Sequence, residues 1–283
     1  MPQYQSSSVE SARKAVAVRL REVRLDSGLK GHELAARCGW HKSKTSRIES
    51  ARTPPSDADI RAWCAACGAD DQAADIVAAS RTADSMYLEW KRLQHTGLRR
   101  LQEARMPLYE RTSLHRGYAS HVVPGLFQTP AYAAALLSSV SRFHGTPNDT
   151  EAAVDARMAR ARVLHRGTHR FALLVEEAVL RYQVGDAEAM AGQLGHLLSV
   201  MSLPAVSVGI IPFSAQDRGM WTLETFDVFD DQRVHVELLT AQVTLTAPTE
   251  VDMYVRAWTD LQGLAVYGAS ARSLVAGALD TLR

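Results

Sequence analysis

The sequence LREVRLDSGLKGHELAARCGWHKSKTSRIESARTPP, residues 20–55, decides the fold of the N-terminal part of this 283-residue chain. Leu20 and Val23 recur at helical spacing, which predicts a first helix with one buried face. Gly28 is placed to end that helix and Gly39 to end a second, because glycine takes the left-handed conformation at a helix end without steric cost. The pattern therefore predicts helix, turn, helix.

A third short helix is predicted to begin near Lys42, and its composition differs from that of the first two. Ile48 is almost its only apolar residue, so a single side chain anchors a helix that is otherwise polar. Such a helix is a poor core element and a good probe for a nucleic-acid groove. Its polar and basic residues are Lys42, Ser43, Lys44, Thr45, Ser46 and Arg47.

The charge distribution supports the same interpretation. Residues 13–52 contain eleven Lys or Arg and four Asp or Glu, a net charge of +7, whereas the whole chain carries +1. The remainder therefore carries −6. A basic segment attracts phosphate and releases counterions on binding, and an acidic body discourages DNA from binding elsewhere.

Composition and periodicity divide the chain into four parts. Residues 1–12 are polar and are predicted to form a mobile tail, and residues 13–80 form the helical head. Residues 81–105 are charged, with apolar points such as Trp90, which predicts a connecting helix. Residues 106–283 form a second domain.

The second domain is predicted to be α+β with a small antiparallel sheet, so that the chain as a whole is mainly α. FALLVEEAVLRY, residues 171–182, is interpreted as a strand or a strand-to-helix passage. Helices are predicted over 151–165, 187–201, 248–265 and 269–282, and β-rich runs over 206–213, 222–229 and 234–246.

The three cysteines suggest a metal site or a structural role. Cys64 and Cys67 form a CxxC, and Cys38 with His41 would complete a set of four donors. The two cysteines of the CxxC also lie on the inward stripe of a helix, where cysteine is a common small core residue. We predict structural cysteines, no metal and no cofactor, and keep metal binding and redox sensing as alternatives.

No catalytic constellation stands out. Glu176 and Glu177 are neighbours, so on a strand they point to opposite faces and make a poor acid–base pair. The sequence has no HExxH spacing and no glycine-rich phosphate loop. We predict that the protein is not an enzyme. With no charged-then-apolar leader segment and no long apolar run, we also expect a cytoplasmic, nucleoid-associated protein without a membrane partner.

The head resembles the phage-repressor class of helix-turn-helix domains, the xenobiotic response element (XRE) family. The matching features are Gly28, Leu34-Ala35, Gly39, the string Ser46-Arg47-Ile48-Glu49 and the exit at Pro54-Pro55. The resemblance implies a five-helix head whose third helix enters the major groove of double-stranded DNA. It is typical of sequence-specific transcription regulators.

Residue roles carry over from this resemblance by position. The residues expected at base edges are Lys42, Ser43 and Arg47, and those expected near phosphates are Lys44, Ser46, Ser50 and Arg52. Arg or Lys can bond guanine O6 and N7, whereas phosphate contacts give position without sequence information.

The resemblance also implies an ion pair within the head, and the chain departs from the family pattern at two positions. The resemblance implies an ion pair between Arg24 and Glu49 that holds the third helix to the first, and base reading by Glu49 is the alternative. The chain departs from the family at Gly31, where Gln is frequent, and at His41, which replaces the usual Ser or Thr cap. A protonated His41 contacting phosphate is an alternative to a neutral cap.

The second domain resembles the C-terminal domain of a large group of actinobacterial regulators, often called antitoxin-like. The shared features are Glu110, VVPGLFQTPAY, ARMARARVL, FALLVEEAVLRYQVG and VSVGIIPF, in that order, with PGLFQT replacing the group's usual PGLLQT. The resemblance implies a transcription regulator, often encoded beside a small partner protein that modulates it.

Four residues of this domain are candidate interface residues. Leu126 and Phe127 follow the turn at Pro124-Gly125 and are placed to line an interface or a pocket, while Arg157 and Arg160 are placed to dock an acidic partner or a second protomer. A solvated arginine face and a structural loop are the alternatives.

The sequence thus predicts a two-domain, sequence-specific DNA-binding regulator. The second domain is expected to respond to a small partner protein from a neighbouring gene or to a ligand, and to form a homodimer that matches a pseudo-palindrome. The alternative is an antitoxin-like module that mainly binds a small partner protein and regulates its own gene.

Overall fold

The computed structural model describes residues 7–82, 87–89 and 97–282 of the chain. The chain divides into two compact units. The first unit comprises Met1–Tyr87 with Val243–Asp252, and the second comprises Leu88–Gln242 with Met253–Arg283.

Five helices make up the head of the first unit. They are α1 (Ser7–Asp26), α2 (Gly31–Arg37), α3 (Lys42–Glu49), α4 (Asp57–Cys67) and α5 (Ala73–Thr82). The predicted turns are present, because Gly28 and Gly39 have φ values of 73° and 71°. α1 begins at Ser7, whereas the sequence predicted a tail up to residue 12.

A small apolar core holds these helices together. Leu20, Leu34, Ile48, Ile60 and Trp63 are each at most 1% exposed and come from four different helices. The indole Nε1–H of Trp63 donates to the carbonyl of Leu20 at 2.9 Å, so the buried ring leaves no polar atom unpaired. The core therefore fixes the positions of α1 to α4 relative to one another.

The segment between the two predicted domains differs from the expected connecting helix over 81–105. α5 ends at Thr82, a short strand β1 occupies Tyr87–Glu89, and the next helix among the described residues, α6, covers Arg99–Arg111. Trp90, one of the apolar points of that prediction, lies outside the described residues. A single connecting helix is therefore not present over the residues that are described.

The remaining elements follow in chain order. The helices are α7 (Pro130–His144), α8 (Thr150–Ala161), α9 (Glu177–Arg181), α10 (Ala187–Val200), α11 (Pro248–Gln262) and α12 (Gly268–Asp280). The strands are β2 (Leu114–Ala119), β3 (Arg170–Glu176), β4 (Val206–Ile211), β5 (Phe226–Phe229), β6 (Arg233–Glu237) and β7 (Ala241–Leu245). FALLVEEAVLRY is thus a strand-to-helix passage, as predicted.

The sheet is mixed, which corrects the prediction of a small antiparallel sheet. Its order is β1-β7-β6-β5-β2-β3-β4, and the pairs β2–β3 and β3–β4 are parallel. β5 pairs antiparallel with both β2 and β6. The parallel pairs arise because helices occupy the chain between β2, β3 and β4, and a crossover of that kind returns the strand in the same direction.

Within the described residues, no helix combines the length and the apolar character that a membrane span requires.

Candidate nucleic-acid interface

α3 has one buried side and one exposed side. Thr45 and Ile48 are 2% and 1% exposed and face the core of the head. The side chains of Lys42, Ser43 and Arg47 are exposed, as is that of Ser46. The three residues predicted to contact bases are therefore brought together on the exposed side of one short helix, where the hydroxyl of Ser43 lies 2.9 Å from Nδ1 of His41.

An ion pair fixes α3 to α1. Arg24 is 8% exposed, and its Nε and Nη2 donate to the two carboxylate oxygens of Glu49 at 2.6 and 3.2 Å. Its Nη1 also donates to the carbonyl of Leu29 at 2.7 Å. This two-pronged bond sets the orientation of both groups, and the pairing implied by the resemblance is present. Glu49 is thus occupied within the protein.

Lys44 is bonded to other residues of the head. Its Nζ lies 2.6 Å from Oδ1 of Asp59 on α4 and 4.6 Å from the centre of the Trp40 ring. The Trp40 indole in turn donates to Thr45 Oγ1 at 3.0 Å. Lys44 therefore joins α3 to α4, and its assignment as a backbone contact stays a prediction.

Side chains of the protein itself form hydrogen bonds with backbone groups at both ends of α3. At the start, Nδ1 of His41 accepts from the backbone N–H of Ser43 at 3.3 Å, so His41 acts as the cap. At the other end, the Ser50 hydroxyl donates to the carbonyl of Ser46 at 2.8 Å. Ser50 is exposed, but its proton is occupied, so it has no donor left for phosphate.

Arg52 follows α3 and keeps an exposed side chain. The turn that presents it contains Ala51 in the left-handed region, at φ 55°. The backbone N–H of Arg52 donates to the carbonyl of Arg47 at 2.9 Å, which closes the end of the helix. Arg52 and Ser46 are thus both exposed, and their role as phosphate contacts stays a prediction.

Sequence reasoning missed the residues that support α3 from α4. Asp59 accepts from the backbone N–H of Ser56 at 3.1 Å, while the hydroxyl of Ser56 accepts from the N–H of Asp59 at 3.2 Å. Burial raises the pKa of Asp59, but the hydrogen bonds from Lys44 and Ser56 outweigh it and hold that pKa below its usual value. The S-x-x-D spacing before an apolar run was the sequence signal for this capping box.

The surroundings of the cysteines in the head are those of packed, protonated thiols. Cys38 Sγ lies 3.4 Å from the carbonyl of Ala62, and Cys64 is fully buried. Burial raises the pKa of the Cys38 and Cys64 thiols to about 11, so both stay protonated near neutral pH. All three cysteines are free, and no group of three metal-binding side chains occurs among the described residues.

The four interface candidates of the second domain are buried, so none of these side chains forms an exposed docking surface. Leu126 and Phe127 are 2% and 0% exposed and belong to the main apolar core. Arg157 and Arg160 are 7% and 3% exposed. The prediction failed because arginines three residues apart on a helix are typical of a solvated face, and the sequence gives no sign of the glutamines that surround them.

Glu176 and Glu177 each have fixed partners. Glu176 accepts from the Tyr118 hydroxyl at 2.8 Å and from Arg218 at 2.6 Å. Glu177 accepts from Arg181 at 2.9 Å and from the backbone N–H of Phe213. Both carboxylates therefore tie elements of the second unit together.

Comparison with known families finds two matching models. A family model described as "Helix-turn-helix domain" matches residues 15–75. A model described as "Domain of unknown function (DUF5753)" matches residues 106–277. No curated protein and no solved structure matches the chain.

Proposed function

We propose that this chain, which belongs to the family defined by the domain of unknown function DUF5753 and carries a helix-turn-helix domain, is a sequence-specific DNA-binding transcription regulator. The observation that carries the proposal is α3: Thr45 and Ile48 anchor one side, and Lys42, Ser43 and Arg47 are exposed. A helix so mounted enters the major groove with its polar side chains against base edges.

The exposed residues divide into two roles. Arg47 and Lys42 read guanine through O6 and N7, and Ser43, whose hydroxyl lies 2.9 Å from Nδ1 of His41, serves as a short acceptor to an adjacent base. Ser46 and Arg52 bind phosphates and set the register of the helix on the duplex. Lys44 and Ser50 have no DNA contact in this proposal, because both are bonded within the protein.

The active form is proposed to be a homodimer. Two copies of α3 related by a two-fold axis fit adjacent major grooves about 34 Å apart, so the operator is a pseudo-palindrome. The second domain is proposed to have no catalytic activity and to transmit the presence of a partner protein or a ligand to the head.

A second candidate function is the antitoxin-like module, which holds a small partner protein and regulates only its own gene. Exposed apolar side chains favour it, because Trp221 and Met253 are 71% and 59% exposed beside a groove of about 410 Å³. Exposed patches of this kind often mark protein interaction sites.

Immunoprecipitation of the tagged full-length protein from its own cells, with both DNA and proteins identified, separates the two functions. A regulator yields several enriched sites that share a pseudo-palindrome. An antitoxin-like module yields its own promoter and one small protein in stoichiometric amount. Recovery of no enriched DNA contradicts both.

A further inference from the structure

The second unit contains three guanidinium groups close together. Arg157 and Arg160 on α8 both donate to the same atom, Oε1 of Gln102, each at 3.1 Å. Arg105, one turn beyond Gln102 on α6, donates to Glu237 at 2.8 Å and to Gln242 at 2.6 Å. Three positive charges thus converge between α6, α8 and the end of β6.

These charges are poorly balanced. Arg157 and Arg160 are nine-tenths buried, and within the described residues their hydrogen-bond acceptors are neutral: Gln102 and, for Arg157, also Gln128. The face of Tyr109 lies 5.2 Å from the Arg160 guanidinium. A buried charge without an opposite charge is unfavourable, so this arrangement is costly unless an anion joins it.

The carboxylates nearby are already engaged. Glu237 is bonded to Arg105, and the half-buried Asp227 is bonded to Nε2 of the buried His115 at 2.8 Å. Nε of Arg105 and Nε of Arg160 are buried and have no hydrogen-bond partner within the part of the chain that is described. Burial, together with the neighbouring Arg160 and Arg105, lowers the pKa of Arg157 to about 9.

The loop VVPGLFQT covers the two buried arginines. A Cβ at Gly125 would lie 3.1 Å from Nη2 of Arg160 and 3.3 Å from the Arg157 guanidinium, so glycine permits the close approach. Gln128 accepts from Arg157 and donates to the carbonyl of Val123 at 2.6 Å. This loop therefore closes the inner side of the cluster.

The outer side of the cluster opens into a cleft of about 260 Å³. Its polar lining comprises Gln102, Arg105, His144, Arg157 and Glu237, and the Glu237 carboxylate is the one already bonded to Arg105. The rest is largely apolar and includes Leu101, Leu137 and Leu239. Leu239 is 70% exposed, so an apolar side chain stands in solvent at the cleft. An apolar pocket with a few convergent polar groups is typical of a small-molecule site. The cleft is slightly smaller than the usual volume of such sites, which is about 300–1,000 Å³.

We propose that this cleft binds a small amphipathic carboxylate, whose anionic head pairs with Arg157 and whose apolar body lies against Leu101, Leu137 and Leu239. The planar guanidinium matches a carboxylate in a two-pronged bond, and the carboxylate supplies the missing counter-charge. That such a ligand controls DNA binding rests on the proposed function, whereas its binding to the cleft does not.

The test measures thermal unfolding of the full-length protein without DNA, titrated with octanoate, octylamine, 1-octanol and inorganic phosphate. We expect a saturable rise of the melting temperature with octanoate, confirmed by calorimetric titration, and at most a tenth of that affinity for the other three probes. Arg157→Gln should abolish the octanoate effect while leaving the melting temperature of the unliganded protein equal or higher, because a buried unbalanced charge is removed.

Arg142→Gln, an exposed arginine on α7, is the matched control and should respond to octanoate like the wild type. Leu239→Glu, at an exposed position of the cleft, should weaken octanoate binding at least tenfold through charge repulsion and serves if Arg157→Gln does not fold. The proposal is overturned if octanoate has no saturable effect, if octylamine or octanol matches it, if phosphate alone binds, or if both variants bind octanoate normally. A failure of DNA binding leaves this result untouched, because no DNA is present.

Discussion

Lys44 and Arg52 show how much the role of one residue depends on its surroundings. Both were predicted from the sequence to lie near phosphates. In the structure Lys44 is bonded to Asp59 and stacked over Trp40, whereas Arg52 is exposed after the end of α3. The first residue therefore joins two helices of the head, whereas the second is exposed.

This difference predicts that two alanine variants change different properties, DNA affinity in one case and stability in the other. Arg52→Ala should lower the slope of log affinity against log salt by about one and leave thermal stability unchanged, because it removes one phosphate contact. Lys44→Ala should cost about 1–2 kcal/mol of unfolding free energy, since an ion pair and a cation–π contact are lost. Salt titrations of DNA affinity and denaturant unfolding distinguish them, and an unchanged stability for Lys44→Ala would contradict the structural role.

Glu49 offers a second test at the same scale. Glu49→Ala removes the carboxylate that accepts from the guanidinium of Arg24. The partly unpaired guanidinium should lower the unfolding free energy of the head by about 2 kcal/mol. Its DNA affinity should fall equally for all base substitutions in the operator, because α3 is loosened and no base contact is removed. If discrimination at one base pair alone were lost, Glu49 would be a base-reading residue, and the ion-pair account would be wrong.

At the scale of elements, α3 and α4 act as one supported pair. The capping box of Ser56 and Asp59 begins α4, and the same Asp59 carboxylate receives the ammonium of Lys44 from α3. The Asp59 carboxylate thus caps the start of α4 and also helps to hold α3 in position. The exposed face of α3 depends on a residue that has no contact with DNA in this account.

The titration of Asp59 gives a pH prediction. Because its folded pKa is below the ordinary value, the ionised carboxylate stabilises the folded head above about pH 4, and this contribution is lost as the pH falls through the folded pKa. Unfolding free energy of the wild type should therefore fall below pH 4, and Asp59→Asn should be less stable at pH 7 and show a weaker acid dependence. Parallel curves for the two proteins from pH 2 to 7 would contradict this assignment.

Much of the structure of the head could be predicted from its sequence, whereas less of the structure of the second domain could. Gly28 and Gly39 mark helix ends through local conformation, which a sequence displays directly. The direction in which β2 and β3 pair depends on the helices between them. The apolar run Phe171–Val175 was the available sign, because strands buried on both faces in a parallel sheet lose the alternation of a half-exposed strand.

The interface candidates failed for a related reason. Nothing in the local sequence around Arg157 and Arg160 distinguishes a solvated arginine face from a buried one. Their burial is created by Gln102 and Gln128, which lie 55 and 29 residues away from Arg157 in the chain. Contacts over such separations are a property of the tertiary fold.

At the scale of the whole molecule, the chain combines a basic helical head with a second unit built on a mixed sheet. The head exposes its cationic groups on α3 and just beyond it, whereas the second unit buries arginines without matching carboxylates. The two kinds of positive charge suit different ligands: an extended polyanion in the first case and one small anion in the second.

The most direct test of the central claim is the affinity of the wild type and Arg47→Ala for the recovered operator and for a scrambled duplex of equal length, at one salt concentration. The account predicts that Arg47→Ala weakens operator binding by about 1–3 kcal/mol and relaxes specificity at one base pair, with a much smaller loss on the scrambled duplex. Arg142→Ala, an exposed arginine outside the head, should bind both duplexes like the wild type. Equal losses on the two duplexes, or no loss on either, would contradict base reading by α3.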